Sequence, residues 1–114
     1  MITLQGIRYT TGRWCPLVEL NLADSHFENL TGVYVIWQGN GSVIRVGQGV
    51  IRDRLSQHRQ DQQIIAYPNL LVTWAKVSDY YLLDGVERYL ANMFNPKIGD
   101  RFPNVDPIEV NLPR

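Results

Sequence analysis

The sequence predicts a small α+β domain, an α/β sandwich in which a three-stranded, mostly antiparallel sheet is flanked by helices. Three observations predict it. Val33-Tyr34-Val35-Ile36-Trp37 and Val43-Ile44-Arg45-Val46 are β-branched and aromatic runs separated by Gly39-Asn40-Gly41, the pattern of an antiparallel hairpin. Beyond Gly47-Gln48-Gly49 the spacing of apolar residues changes to a helical one. A third apolar run over 70–77 is followed by a second helical stripe. At 114 residues the chain reads as one domain, with an extension over 1–31, a core over 32–96 and a tail over 97–114.

Taken in order, Ile2, Leu4, Ile7 and Tyr9 look extended, Thr11-Gly12 is a turn signal, and 14–22 resumes an apolar-polar alternation. This predicts a hairpin-like preamble. The central hairpin follows, its second strand ended by Gly47-Gln48-Gly49. Ile51 and Leu55 are four apart, as are Arg54 and His58, so each pair shares a face of a helix over about 50–59. Pro68 marks the boundary before the 70–77 strand. Ser78 or Asp79 then caps a longer helix, whose stripe is Val86, Tyr89, Leu90, Met93 and Phe94 and which Pro96 ends. The tail holds Pro103, Pro107 and Pro113 among extended residues and is expected along the surface.

Composition narrows the function classes. Hydrophobic residues are 45% and charged residues 19%, as in an ordinary folded domain. Lys plus Arg and Asp plus Glu are 11 each, so a globally basic nucleic-acid coat or a polybasic membrane binder is excluded. No apolar run approaches the ~18 residues of a membrane span, and residues 1–10 do not read as a secretory signal. Cys15 is the single cysteine. It is read as a small buried or half-buried hydrophobe in a protein of the reducing cytoplasm. His26 is read as a loop or surface residue, and Trp14, Trp37 and Trp74 as strand core.

The charge is unevenly placed. Residues 1–44 sum to −1 and 60–114 to −2, whereas 45–59 carry Arg45, Arg52, Arg54 and Arg59 against Asp53, a sum of +3. Nine of the eleven basic residues are Arg, whose planar fork suits phosphate. Gly47-Gln48-Gly49 lacks the third glycine of a dinucleotide site, but a helix start after it can bind phosphate through backbone N–H groups.

Phosphodiester hydrolysis needs an activated water, neutralised phosphoryl oxygens and a stabilised leaving oxygen. Tyr34 can orient the water or take its proton if a cation lowers its pKa from about 10. Arg45, on the adjacent strand, can be that cation. Arg54 can clamp the phosphate and His58, one turn on, can assist proton transfer or bind phosphate. Glu87 lies at the edge of the buried stripe of the second helix. It can hold one Mg²⁺ or Mn²⁺, since Mg²⁺ keeps several waters and takes few carboxylates. Arg52, Arg59, Gly47 and Gly49 are the further candidate nucleic-acid contacts.

Gly32-Val33-Tyr34, then Arg45-Val46-Gly47 beginning eleven residues after the tyrosine, then Arg54-Leu55-Ser56-Gln57-His58, then Glu87 with Leu90 and Pro96 beyond, form an ordered set. Over 32–96 this set resembles the GIY-YIG nucleases. The resemblance implies a GIY-YIG-like fold and a single-metal endonuclease acting on DNA, with the tyrosine of the first tripeptide near the water and Glu87 on the metal. Arg45 stands where the family has its second tyrosine, and Gly99 where it often has an asparagine. These departures motivate the alternative: a catalytically silent module binding nucleic acid or a protein on the same fold. A homodimer or a partner protein would supply specificity, and no membrane is involved.

Overall fold

A computed structural model describes residues 15–77, 79–99 and 105–110. The predicted preamble strands over 1–14, Trp14, Ser78, Pro103 and Pro113 lie outside the described residues. The described chain is a small α+β domain with a four-stranded antiparallel sheet and helices on both faces. Strands β1 (Cys15–Pro16), β2 (Thr31–Gln38), β3 (Val43–Val50) and β4 (Leu70–Lys76) lie in the order β1-β4-β2-β3. The helices are α1 (Ile51–Arg59), α2 (Gln62–Ile65) and α3 (Leu83–Phe94).

The apolar run of β2 follows from its place in the middle. Tyr34 faces Gly47 on one neighbour and Trp74 on the other, and both faces of the strand are covered. Residues pointing either way are therefore apolar, as in strands buried on two sides. Tyr34 and Ile36 join Ile51 and Leu55 of α1, Ile64 of α2, and Leu17, Phe27 and Trp74 in one cluster. Val33 and Val35 join Leu83, Val86 and Leu90 of α3, with Val46, Ala75 and Val110, in the other.

Four expectations are revised. The sheet has a fourth strand, of two residues, antiparallel to β4, and most of 17–27 is 3₁₀ turns rather than a hairpin arm. β3 runs through Gly47-Gln48-Gly49 to Val50, and α1 starts at the next residue without a loop. The short α2 was not expected. The tail does not simply lie on the surface: Val110 is 2% exposed, inside the α3 cluster. In the α3 stripe, Val86 and Leu90 are buried while Met93 is exposed.

Local signals explain the element ends. α1 has no side-chain cap on its N-terminus, but Ile51 N–H donates to the Leu30 carbonyl at 3.0 Å. The Asp79 carboxylate accepts from Tyr81 N–H at 2.9 Å, opening the turn into α3. α3 ends at Asn95, in the left-handed conformation at φ 47°, with Pro96 following. Residues 97 and 98 then donate to the Val43 and Ile44 carbonyls and cover the first part of the β3 edge. Cys15 is buried. No helix among the described residues is long and apolar enough to cross a membrane.

Candidate functional site

The site is built around Tyr34, whose side chain is fixed by the middle strand. Its register partner Gly47 has no Cβ, and one placed there would collide with the phenol oxygen. The hydroxyl occupies that space and meets His58 Nε2 at 2.5 Å. His58 sits one turn beyond Arg54 on α1 and packs its ring against the phenol, with centroids 5.3 Å apart.

Protonation states follow from the surroundings. Burial pushes the His58 pKa down to about 4, and the charges of Arg45 and Arg54 push the same way against the opposing pull of Asp61. The imidazole is therefore neutral at physiological pH. Burial raises the Tyr34 pKa, opposed by the charge and hydrogen bonding of Arg45 and by Arg54. A protonated phenol thus donates to a bare Nε2, which places the ring proton on Nδ1.

Arg45 stands two residues before Gly47 on β3 and faces Ile36, so strand alternation puts it on the Tyr34 side of the sheet, and an irregularity follows directly beside it. The register slips between Ile36 and Trp37, so that Arg45 faces Ile36 while Val43 faces Trp37, and Ile44 is the extra residue. A bulge re-aims side chains. Here Ile44 packs into the α1-side cluster. Arg45 lies beside the tyrosine. Arg45 Nε is buried and has no hydrogen-bond partner among the described residues. A buried N–H left unpaired costs about 1–3 kcal/mol, and an arriving phosphate oxygen would satisfy it.

Arg54 is held along the other glycine. A Cβ on Gly49 would stand 2.9 Å from Arg54 Nε, so the guanidinium stem lies across bare backbone. Its charge acts on Tyr34, His58 and Glu87.

Glu87 comes from the opposite face of the sheet. It is 8% exposed on α3, and burial raises its pKa; the Gln48 hydrogen bond, Arg45 and Arg54 oppose the rise, and Asp84 adds to it. Gln48 faces Val33 in the register, on the α3 side, and its amide nitrogen donates to Glu87 Oε2 at 2.9 Å and to Asp84 Oδ1. β3 is the last strand of the sheet. Arg45 acts on Tyr34, His58 and Glu87 alike.

Tyr34 and His58 are thus in contact on the α1 side, Arg45 and Arg54 lie near enough for their charges to act on both, and Glu87 on the α3 side feels the same two arginines. Arg52 and Arg59 are not part of this group. The Arg52 guanidinium donates to the carbonyls of Leu22 at 2.7 Å and Asp24 at 3.2 Å. That of Arg59 donates to Leu17 at 2.9 Å and to Leu20. Both clamp the 17–24 segment onto α1. Gly47 and Gly49 serve as space for Tyr34 and Arg54. Gln48 and Asp84 were missed. Their signals were Gln48 alternating with two glycines along a strand, and Asp84 three residues before Glu87 on one helix. His26 is exposed as expected, and it also accepts from the buried Trp74 indole N–H at 3.0 Å.

No group of three or more His, Cys, Asp or Glu side chains able to hold a metal occurs among the described residues. The donor set that is present, a fixed Glu87 carboxylate with Asp84 close by, suits a hard cation that keeps waters and substrate oxygens as its other ligands. No protein-family model matches the chain, and no curated protein or solved structure matches it significantly.

Proposed function

We propose that this chain is a divalent-metal-dependent endonuclease domain of the GIY-YIG type, hydrolysing phosphodiester bonds in DNA. The observation that carries the reading is the 2.5 Å contact between Tyr34 and a neutral His58, flanked by two arginines and approached by a buried carboxylate from the other face. A structural tyrosine in a core needs none of these neighbours.

The scissile phosphate would lie between Arg45 and Arg54, where the orphaned Arg45 Nε gains an acceptor. Tyr34 would receive a proton from the attacking water while passing its own to His58 Nε2. The new P–O bond forms as the bond to the leaving oxygen breaks. Mg²⁺ or Mn²⁺ held by Glu87 would supply charge stabilisation for the phosphoryl and leaving oxygens. Burial, the largest cause of the low His58 basicity, persists in the complex, but the part due to the two arginines is partly offset by the single negative charge of the phosphodiester. His58 thus becomes a better base when substrate is bound.

A nicking assay on supercoiled plasmid with Mg²⁺ or Mn²⁺ tests this. Wild type should nick, while Tyr34→Phe and Glu87→Ala should lose on the order of 10²-fold or more. Equal nicking by all three, or none by any with either metal, rejects catalysis at this site. The second reading, a silent binding module, is favoured by one observation: the low basicity of His58 beside Arg45. It expects salt-dependent DNA binding without cleavage in the same samples.

A further inference from the structure

We infer that Gln48 is the positioning residue of the Glu87 cation site, its amide clamped between Asp84 and Glu87. The inference rests on the metal-dependent reading above and deepens it. Gln48 is flanked by two glycines whose missing side chains make room for Tyr34 and Arg54. Alternation along β3 turns Gln48 the other way, toward α3. One tripeptide thus serves both halves of the site.

The amide has two N–H groups, and both are used. One nitrogen donates to Glu87 Oε2 at 2.9 Å and to Asp84 Oδ1. Asp84 and Glu87 are three residues apart and adjacent on the helix surface. With Oε2 held, Glu87 keeps Oε1 for a cation. Asp84 in turn fixes the amide orientation, since a flipped Gln48 would set its carbonyl oxygen against two carboxylates. Without this clamp, the buried Glu87 carboxylate loses the hydrogen bond that orients Oε2. Partners that orient a ligand in this way typically govern metal affinity by 10–100-fold.

The test is Mn²⁺ binding to the full chain, followed by electron paramagnetic resonance with a short DNA duplex present. Gln48→Leu should weaken Mn²⁺ binding roughly 10–100-fold, and Asp84→Ala should weaken it less. Glu87→Gln should abolish it. Asp84→Asn, which keeps an acceptor for the amide, should restore binding relative to Asp84→Ala. Binding unchanged in both Gln48→Leu and Asp84→Ala but lost in Glu87→Gln overturns the inference and spares the nuclease reading. Absence of Mn²⁺ binding in the wild type overturns both. If Gln48→Leu fails to fold, the Asp84 pair on the exposed helix surface decides alone.

Discussion

His58 enters the site as a neutral ring, and that state has measurable consequences. Its pKa of about 4 lies below the usual 6.5, with burial the first cause and Arg45 the next. Between pH 6.5 and about 4 the unfolded chain binds a proton that the folded chain refuses. Stability therefore falls as pH drops through that window. His58→Gln keeps an acceptor for the Tyr34 hydroxyl but does not titrate, so its melting temperature should fall less than wild type's over the same range. The chain has two histidines, so the imidazole resonance missing from the His58→Gln spectrum is assigned at once. That resonance should titrate near pH 4 in the free protein and move upward when a dinucleotide phosphodiester is added. A midpoint at 6.5 in the free protein would remove the dry, arginine-flanked position. At this scale the sequence singles out Tyr34, Arg45, Arg54, His58 and Glu87 by their order and by resemblance to a nuclease family, and the Tyr34–His58 contact is the part of that set the fold makes directly. Gln48 is not singled out, because an amide between glycines looks like a turn until the strand is known to continue through it.

Secondary structure shows where local preference and tertiary context part. Glycine is a poor strand former, so the Gly47-Gln48-Gly49 stretch reads as the end of β3. The site instead needs strand geometry with side chains deleted on one face. The α2 turn and the two-residue β1 are too short for periodicity to register, and the β3 bulge has no signal in residue order. The longer elements, with Val33 to Trp37 in β2 and Val86 with Leu90 in α3, were readable because each buries a face several residues long. Two glycine substitutions separate folding from function. A Cβ on Gly32 would run into the Ala75 carbonyl and stand 3.0 Å from Lys76 Cα, both backbone atoms of the neighbouring strand. Gly32→Ala should lower stability by about 1–3 kcal/mol or more, read by urea denaturation. A Cβ on Gly47 meets the end of a side chain, the buried Tyr34 phenol, rather than backbone. Gly47→Ala should keep its far-ultraviolet dichroism and lose cleavage by roughly 10²-fold, because the hydroxyl leaves its place. Equal stability loss in both variants would deny the division of labour between the two glycines.

The whole chain is electrically neutral, and its positive charge is concentrated over 45–59. Sequence position alone cannot say which of the four arginines there are engaged within the fold. Arg52 and Arg59 hold backbone carbonyls of the 17–24 segment and tie it to α1. Arg45 and Arg54 act on the Tyr34 site. The two pairs should therefore separate in a salt titration of DNA binding. Each phosphate contact on duplex DNA contributes a slope of about −0.9 in log K against log salt. Arg54→Ala should make the slope shallower by about that one contact while leaving the melting temperature nearly unchanged. Arg52→Ala should leave the slope as it was and lower the melting temperature, because the Leu22 carbonyl loses the Arg52 donor and the Asp24 carbonyl keeps only Phe27 N–H. A slope that responds to Arg52 and not to Arg54 would move the phosphate path off the tyrosine and onto the outer face of α1. Tight binding of long DNA would then have to come from a surface other than the one that carries the chemistry.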